Sequence, residues 1–161
     1  MNNVNAGTAT ASYSYAGDAN HEPSSDSKNF TIGKADATIV VTGKTVTYDG
    51  TAHGATGTAK GVMGEDLAGL DLGASFTNFP GGTADWTFTD VTGNYNNASG
   101  SVDIVINKAP TVTTVTINGG PFTYTGSEIE PATVTVTGAG GLNLTPAASY
   151  ANNINAGTAT A

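Results

Sequence analysis

Residues 3–11 and 153–161 carry nearly the same phrase, Asn-Val-Asn-Ala-Gly-Thr-Ala-Thr-Ala and Asn-Ile-Asn-Ala-Gly-Thr-Ala-Thr-Ala, 150 positions apart. A second echo halves that interval: Ile32-Gly33-Lys34-Ala35 returns as Ile106-Asn107-Lys108-Ala109, 74 positions on. Tyr48-Asp49-Gly50 and Tyr124-Thr125-Gly126 stand 76 apart. Self-similarity at a fixed period constrains folding more than any local motif, because each unit must bury its apolar face against itself or a neighbour. The frame predicts one whole unit at 36–109. A second is split between the chain ends, its back half at 1–35 and its front half at 110–161. Units this small bury little core and lean on their neighbours.

The chain is rich in Thr, Gly, Ala and Asn and poor in strong helix formers, which favours strands joined by Gly/Asn turns. Apolar residues alternate with small polar ones in short segments, the period of a half-buried strand. Strands are predicted at 37–42, 45–48, 55–60, 73–78, 83–89 and 101–107 in the whole unit. Residues 65–70 read as a single helical turn or a surface loop. In the divided unit, strands are predicted at 112–117, 122–124, 132–137 and 147–150. Its back half supplies 8–15 and 27–32, joined by the turn Gly17-Asp18-Ala19-Asn20. Phe88 then corresponds to Tyr13, Ile104 to Phe30 and Ile106 to Ile32. So many short strands suit a β-sandwich with Greek-key connections.

Charge narrows the partners. The net charge is −8, and all five basic residues are lysines. Without arginine the usual bidentate reader of phosphate and guanine is missing, and an acidic surface repels nucleic acid. Cysteine is absent, which removes disulfides and thiolate metal sites. Apolar runs such as Ile104-Val105-Ile106 are far too short to cross a bilayer, so no membrane insertion is expected. Met1-Asn2-Asn3 does not begin a signal peptide, so an export signal would lie on a part of the parent protein not shown, or would have been removed.

Two phrases carry a family resemblance. Thr45-Val46-Thr47-Tyr48-Asp49-Gly50-Thr51 resembles the "YDG" signature of the MBG or YDG repeats of giant bacterial surface proteins. Ser12-Tyr13-Ser14-Tyr15-Ala16-Gly17-Asp18-Ala19-Asn20-His21 is similar to the corner of bacterial Ig-like repeats. The Ile-x-Lys-Ala junctions resemble the linkerless boundaries of such arrays. The resemblance implies an all-β fold of tandem Ig-like β-sandwich repeats, one whole and one split between the two chain ends. It also implies an extracellular, cell-surface location as a stalk, adhesin or matrix protein, and brings no catalytic residue with it.

A half-sandwich exposes one apolar face and unpaired edge groups, so the divided unit needs completion. Either the chain folds back on itself, or one copy's front half receives the next copy's back half. In a seven-stranded sandwich the first and last strands leave from opposite poles, roughly 35–40 Å apart at about 3.3 Å per residue. Fold-back would need a tether that the junctions at Ala35-Asp36 and Ala109-Pro110 do not offer. The other arrangement is a heterologous contact that does not close, as in strand-complemented fibres. The partner is then this chain itself, in a head-to-tail homopolymer, or an adjacent repeat of a longer parent. The joining strands would use Asn5, Gly7, Thr8, Thr10, Tyr13, Tyr15, Phe30 and Ile32 from the back half. The front half would use Val134, Val136, Tyr150, Ile154 and Thr158. A module cut from a longer array predicts the same role.

No reaction centre is legible. His21 and His53 lack the spacing that pairs an imidazole with a nucleophile or zinc. An enzyme is not expected, and no cofactor is required. Asp18, Glu22 and Asp26 could hold calcium at one corner, as could Glu65, Asp66 and Asp71 in a loop, but neither set follows a calcium-loop pattern. Lys34 and Lys108 close the last strand of each unit, where a lysine shields an edge; an isopeptide bond is the other use of such a residue. Trp86, Tyr95, Phe76 and Phe79, or the corner residues Tyr15 and Tyr95, could form a sugar-stacking platform. That last set supports the competing function, an adhesin module binding a glycan or a protein receptor.

Overall fold

The structure, a computed structural model, describes residues 3–161; Met1 and Asn2, at the head of the 1–35 segment, lie outside it. Among the described residues there is no α-helix, only strands, turns and one short 3-10 turn at Ala139–Gly141. The all-β expectation holds. The chain divides into two compact units. The first comprises the described residues through Lys44 with His53–Ser75 and Gly82–Ile104; the second comprises Thr45–Ala52, Phe76–Gly81 and Val105–Ala161.

Strands β1 (Gly7–Tyr15) and β2 (Ser24–Ile32) form an antiparallel hairpin that is a sheet of two strands by itself. Strand β3 (Thr38–Thr42) pairs antiparallel with β5 (Thr56–Lys60). A four-stranded sheet has the order β4-β8-β7-β6, from β4 (Lys44–Thr47), β6 (Leu70–Asp71), β7 (Gly81–Phe88) and β8 (Ala98–Asn107). Alternation decides what is buried. Ala84 and Phe88 of β7 and Ile104 and Ile106 of β8 point inward, while Thr83 Oγ1 donates to Asp103 Oδ1 on the outer face at 2.9 Å. Phe88 meets Ala59 of β5 and Tyr95, with Ala35, Ala37, Ile39, Leu67 and Leu70 packed around them. Two sheets therefore bury their apolar faces against each other, as in a sandwich.

In the second unit β9 (Thr111–Ile117), β10 (Ala132–Gly138) and β11 (Leu142–Leu144) make an antiparallel sheet of order β11-β10-β9. The 3-10 turn between β10 and β11 depends on Gly140, whose φ of 68° suits glycine and whose missing side chain leaves room for the Tyr48 ring.

Nine of the twelve expected strands form within three residues of their predicted ends, and three do not form. Residues 73–78 leave the sheet because Gly73 turns at φ 77° and lies on the Asp85 carbonyl. Residues 122–124 form no strand. The similar segment before Tyr48 is held by a ladder neighbour, the Tyr48 N–H donating to the Asn107 carbonyl at 2.8 Å, and no described strand flanks Phe122–Tyr124. Residues 147–150 are also irregular. The Gly138–Gly141 turn lets Leu142–Leu144 pair at once with β10, and Pro146, lacking an N–H, cannot extend that ladder. Residues 65–70 are loop rather than helix up to the short strand β6.

Candidate functional site

The hairpin is amphipathic to an unusual degree. In antiparallel pairs directly opposite residues share a face. One face holds Thr8 with Thr31, Thr10 with Asn29, Ser12 with Ser27 and Ser14 with Ser25, all polar. The other holds Ile32, Ala9 with Phe30, Ala11 with Lys28, Tyr13 with Asp26, and Tyr15. A sheet with this alternation is built to bury its second face. Yet Tyr13 is 75% exposed and Phe30 47% exposed, whereas their sequence counterparts Phe88 and Ile104 are each 1% exposed. Ile32 is half-buried where Ile106 is wholly buried. Of the hairpin residues only Ala9 is buried. The base of the hairpin is tied within its unit by the Ala6 N–H, which donates to Asn94 Oδ1 at 2.8 Å, and by Asn94 Nδ2, which donates to Asn5 Oδ1 at 3.1 Å. Two strands alone are marginal in water, so this face calls for a partner.

The turn between β1 and β2 is organised by Asp18. Its Oδ2 accepts the Tyr15 hydroxyl at 2.7 Å, and its Oδ1 accepts the Asn20 N–H and meets His21 Nδ1, each at 2.8 Å. The Tyr15 hydroxyl most of all, then Asn20 and His21, hold the Asp18 carboxyl down at about 2, and the same bond raises Tyr15. Glu22 lies in this turn, which surrounds a shallow hollow of about 390 Å³. Asp26 sits on β2 and accepts the Ser27 N–H at 2.8 Å and Lys28 Nζ at 3.2 Å. The other acidic set is dispersed too: Glu65 bonds Tyr95, Asp66 pairs with Lys60 at 2.6 Å, and Asp71 accepts the Gly73 N–H at 2.9 Å. Among the described residues no three carboxylates or imidazoles converge as a metal would require.

The matching corner between β7 and β8, in the same unit, differs in one telling way. Asp90 accepts the Tyr95 N–H at 2.9 Å and both the N–H and hydroxyl of Thr92, at 2.9 and 2.8 Å. Desolvation alone would raise its carboxyl, but these bonds, with one from Gly93, lower it to about 2. Tyr95 then turns inward, is buried, and donates to Glu65 Oε1 at 2.5 Å while accepting the Val62 N–H at 3.1 Å. Tyr95 is thus a core residue and cannot offer a ring to a sugar. His21, at the equivalent position, is exposed. Phe79 is half-exposed with Lys108 Nζ 5.1 Å above its ring, and Trp86 lies half-buried on Gly100. Sequence reasoning missed the Asp90–Tyr95–Glu65 chain. Its only signal was an Asp five residues before a Tyr in a turn.

In the second unit the sheet β9-β10-β11 repeats the hairpin's division of labour. Thr133, Thr135 and Thr137 of β10 alternate with Ala132, Val134 and Val136, the last three half-buried opposite Ile117, Val115 and Thr113. Every residue of β9 is exposed, Ile117 by 51% and Val115 by 46%. Tyr150 anchors the edge, its hydroxyl accepting the Ala132 N–H at 2.8 Å. A cavity of about 410 Å³ opens between Ile117, Phe122, Tyr124, Ile129 and Tyr150 and the chain from Asn152 to Ala161. Ile154 remains 43% exposed and Thr158 is exposed. Of the joining residues expected from sequence, Gly7, Thr8, Thr10, Tyr13, Tyr15, Phe30 and Ile32 lie on the β1-β2 hairpin and Val134 and Val136 on β10, while Asn5, Tyr150, Ile154 and Thr158 lie outside the strands.

Compared with protein-family models, with curated proteins and with solved structures, the chain matches none. Its geometry is the ground for a functional reading.

Proposed function

We propose that this chain is a structural segment of a bacterial extracellular fibre or surface array, built of Ig-like repeats that complete one another by strand complementation. The carrying observation is the contrast between matched apolar positions. Phe88, Ile104 and Ile106 are buried, while Tyr13, Phe30 and Ile32 lie on an open or half-open face. The pairing pattern supports the same reading: β9 pairs with β10 as β3 pairs with β5, and β1 with β2 is matched in order by β7 with β8. The hairpin of one copy thus stands to the β9-β10 sheet of the next as β7-β8 stands to β3-β5. Such a joint is head-to-tail, leaves a free face at each end, and propagates. It acts equally between separate subunits and between repeats of one longer polypeptide. The Tyr-Asp-Gly resemblance to MBG or YDG surface repeats supports the location, and the acidic, hydroxyl-rich surface suits a soluble stalk.

Light scattering of the purified chain over a concentration series, with negative-stain images, tests the proposal. The expected result is filaments that lengthen with concentration and vanish when residues 1–11 are deleted or Phe30→Asp charges the open face. A compact monomer at every concentration would overturn it.

A further inference from the structure

The strand-complementation reading leaves open what covers the acceptor face before a neighbour arrives, and the repeated phrase answers it. Asn155-Ala156-Gly157-Thr158-Ala159-Thr160-Ala161 is identical to Asn5-Ala6-Gly7-Thr8-Ala9-Thr10-Ala11. In the first copy, Gly7–Ala11 opens β1 and is paired residue for residue with β2, from Gly7↔Ile32 to Ala11↔Lys28. In the second there is no strand. Residues 151–160 double back through Asn152, at φ 59°, and close on a single antiparallel bridge between Ala151 and Thr160. Seven identical residues in two conformations exclude side-chain preference as the cause; the presence of a partner strand is the difference. Gly-Thr-Ala also occurs at Gly50-Thr51-Ala52, Gly57-Thr58-Ala59 and Gly82-Thr83-Ala84, the last of these 75 positions from each copy of the phrase. There it lies in β7, with Ala84 fully buried, as Ala9 is buried in β1, while Ala159 is exposed.

We infer that residues 153–161 are a resident stand-in on the acceptor face, and that the occupant displacing them is the β1-β2 hairpin of a second copy. The segment lines one cavity with Ile117, Phe122, Tyr124 and Tyr150, and is held by the two Ala151–Thr160 backbone bonds at 2.9 and 3.1 Å and by the Ile129 N–H donating to the Asn153 carbonyl at 3.1 Å. An incoming hairpin offers the same seven residues, the last five of them, Gly7–Ala11, already paired to a second strand. It also brings Tyr13, Phe30 and Ile32, whose apolar side chains lie on its open or half-open face. The identity of the phrase sets the register: incoming Gly7–Ala11 takes the place of Gly157–Ala161. This inference rests on the joining reading above and adds that joining must first evict a segment of the acceptor.

Two variants test it, read by light scattering at fixed concentration against the full chain. Ending the chain at Asn152 removes the stand-in and is expected to raise the rate of assembly at least tenfold. Ala151→Cys with Thr160→Cys fastens it in place. The two residues exchange both backbone bonds, a pairing about 5.5 Å between Cα atoms that a disulfide spans, and the chain has no other cysteine. The oxidised form is expected not to assemble, and a reductant to restore assembly. Equal rates for oxidised and reduced protein, or slower assembly of the shortened chain, would overturn the stand-in while leaving hairpin-dependent joining intact. If neither the full nor the shortened chain assembles, the joining reading falls as well.

Discussion

Ile104 and Phe30 occupy corresponding places in β8 and β2, and truncating each to alanine should give opposite results. Ile104 is 1% exposed in the sandwiched sheet. Ile104→Ala removes three carbons from the core, about 2.5 kcal/mol of transfer free energy at about 0.8 kcal/mol per buried carbon. A site this fully buried has little room to collapse, and the residual cavity brings the loss to about 3–4 kcal/mol. Phe30 is the larger residue, and a buried phenylalanine would lose still more. On an open face, however, Phe30→Ala should change stability by no more than about 0.5 kcal/mol. The assay is urea unfolding in dilute, unassembled protein, followed by Trp86 fluorescence for the four-stranded sheet and by far-ultraviolet circular dichroism for all strands. Trp86 is the sole tryptophan, so its signal has one origin. At concentrations where assembly occurs the order inverts, Phe30→Ala weakening association while Ile104→Ala weakens each subunit. A loss of 2 kcal/mol or more for Phe30→Ala in the dilute protein would refute the reasoning, because the hairpin face would then be covered within one molecule.

Two further predictions concern the corner and the sheet. The Asp90 carboxyl is held at about 2 in the folded chain against an ordinary 3.8, so its contribution is fully present above pH 3.8 and is lost as pH falls through about 2. Asp90→Asn should flatten the acid limb of the unfolding curve between pH 4 and pH 2, and an unchanged limb would show that the Tyr95 corner does not depend on this charge. A Cβ on Gly100 would stand 2.6 Å from Trp86 Cζ2, so Gly100→Ala should displace the indole, redden its emission and cost about 1–3 kcal/mol by overpacking. Unaltered emission would mean that the sheet absorbs the methyl without moving the ring.

The sequence was most informative where one strand's pattern contained its own partner. The hairpin at 7–32 was readable because the Thr/Ser positions, the Gly17-Asp18-Ala19-Asn20 turn and the matched apolar residues all lie within one local stretch. Strands whose existence depends on a distant neighbour were less legible. Phe122-Thr123-Tyr124 has strand-forming residues but no ladder beside it, and a ladder is a tertiary fact. Leu142–Leu144 was missed for the opposite reason, since its pairing is set by the backbone turn at Gly138–Gly141 rather than by its own three residues. For the candidate site, the residues were legible as a periodic set, but their degree of exposure was not. Alternation marks which face is apolar and is silent on whether anything covers it.

The outer face of the hairpin has a physical consequence of its own. Eight of its cross-strand positions, from Thr8 with Thr31 to Ser14 with Ser25, present hydroxyls or an amide and no ionisable group. Nothing on that side responds to pH or is screened by salt, while the opposite side sets Ile32, Phe30, Tyr13 and Tyr15 beside one charge pair, Lys28 with Asp26. A fibre joined through such strands would owe its cohesion to released water, a force that weakens on cooling and grows in strongly hydrated salts. Brine should leave its length unchanged or increase it, and chilling should shorten it.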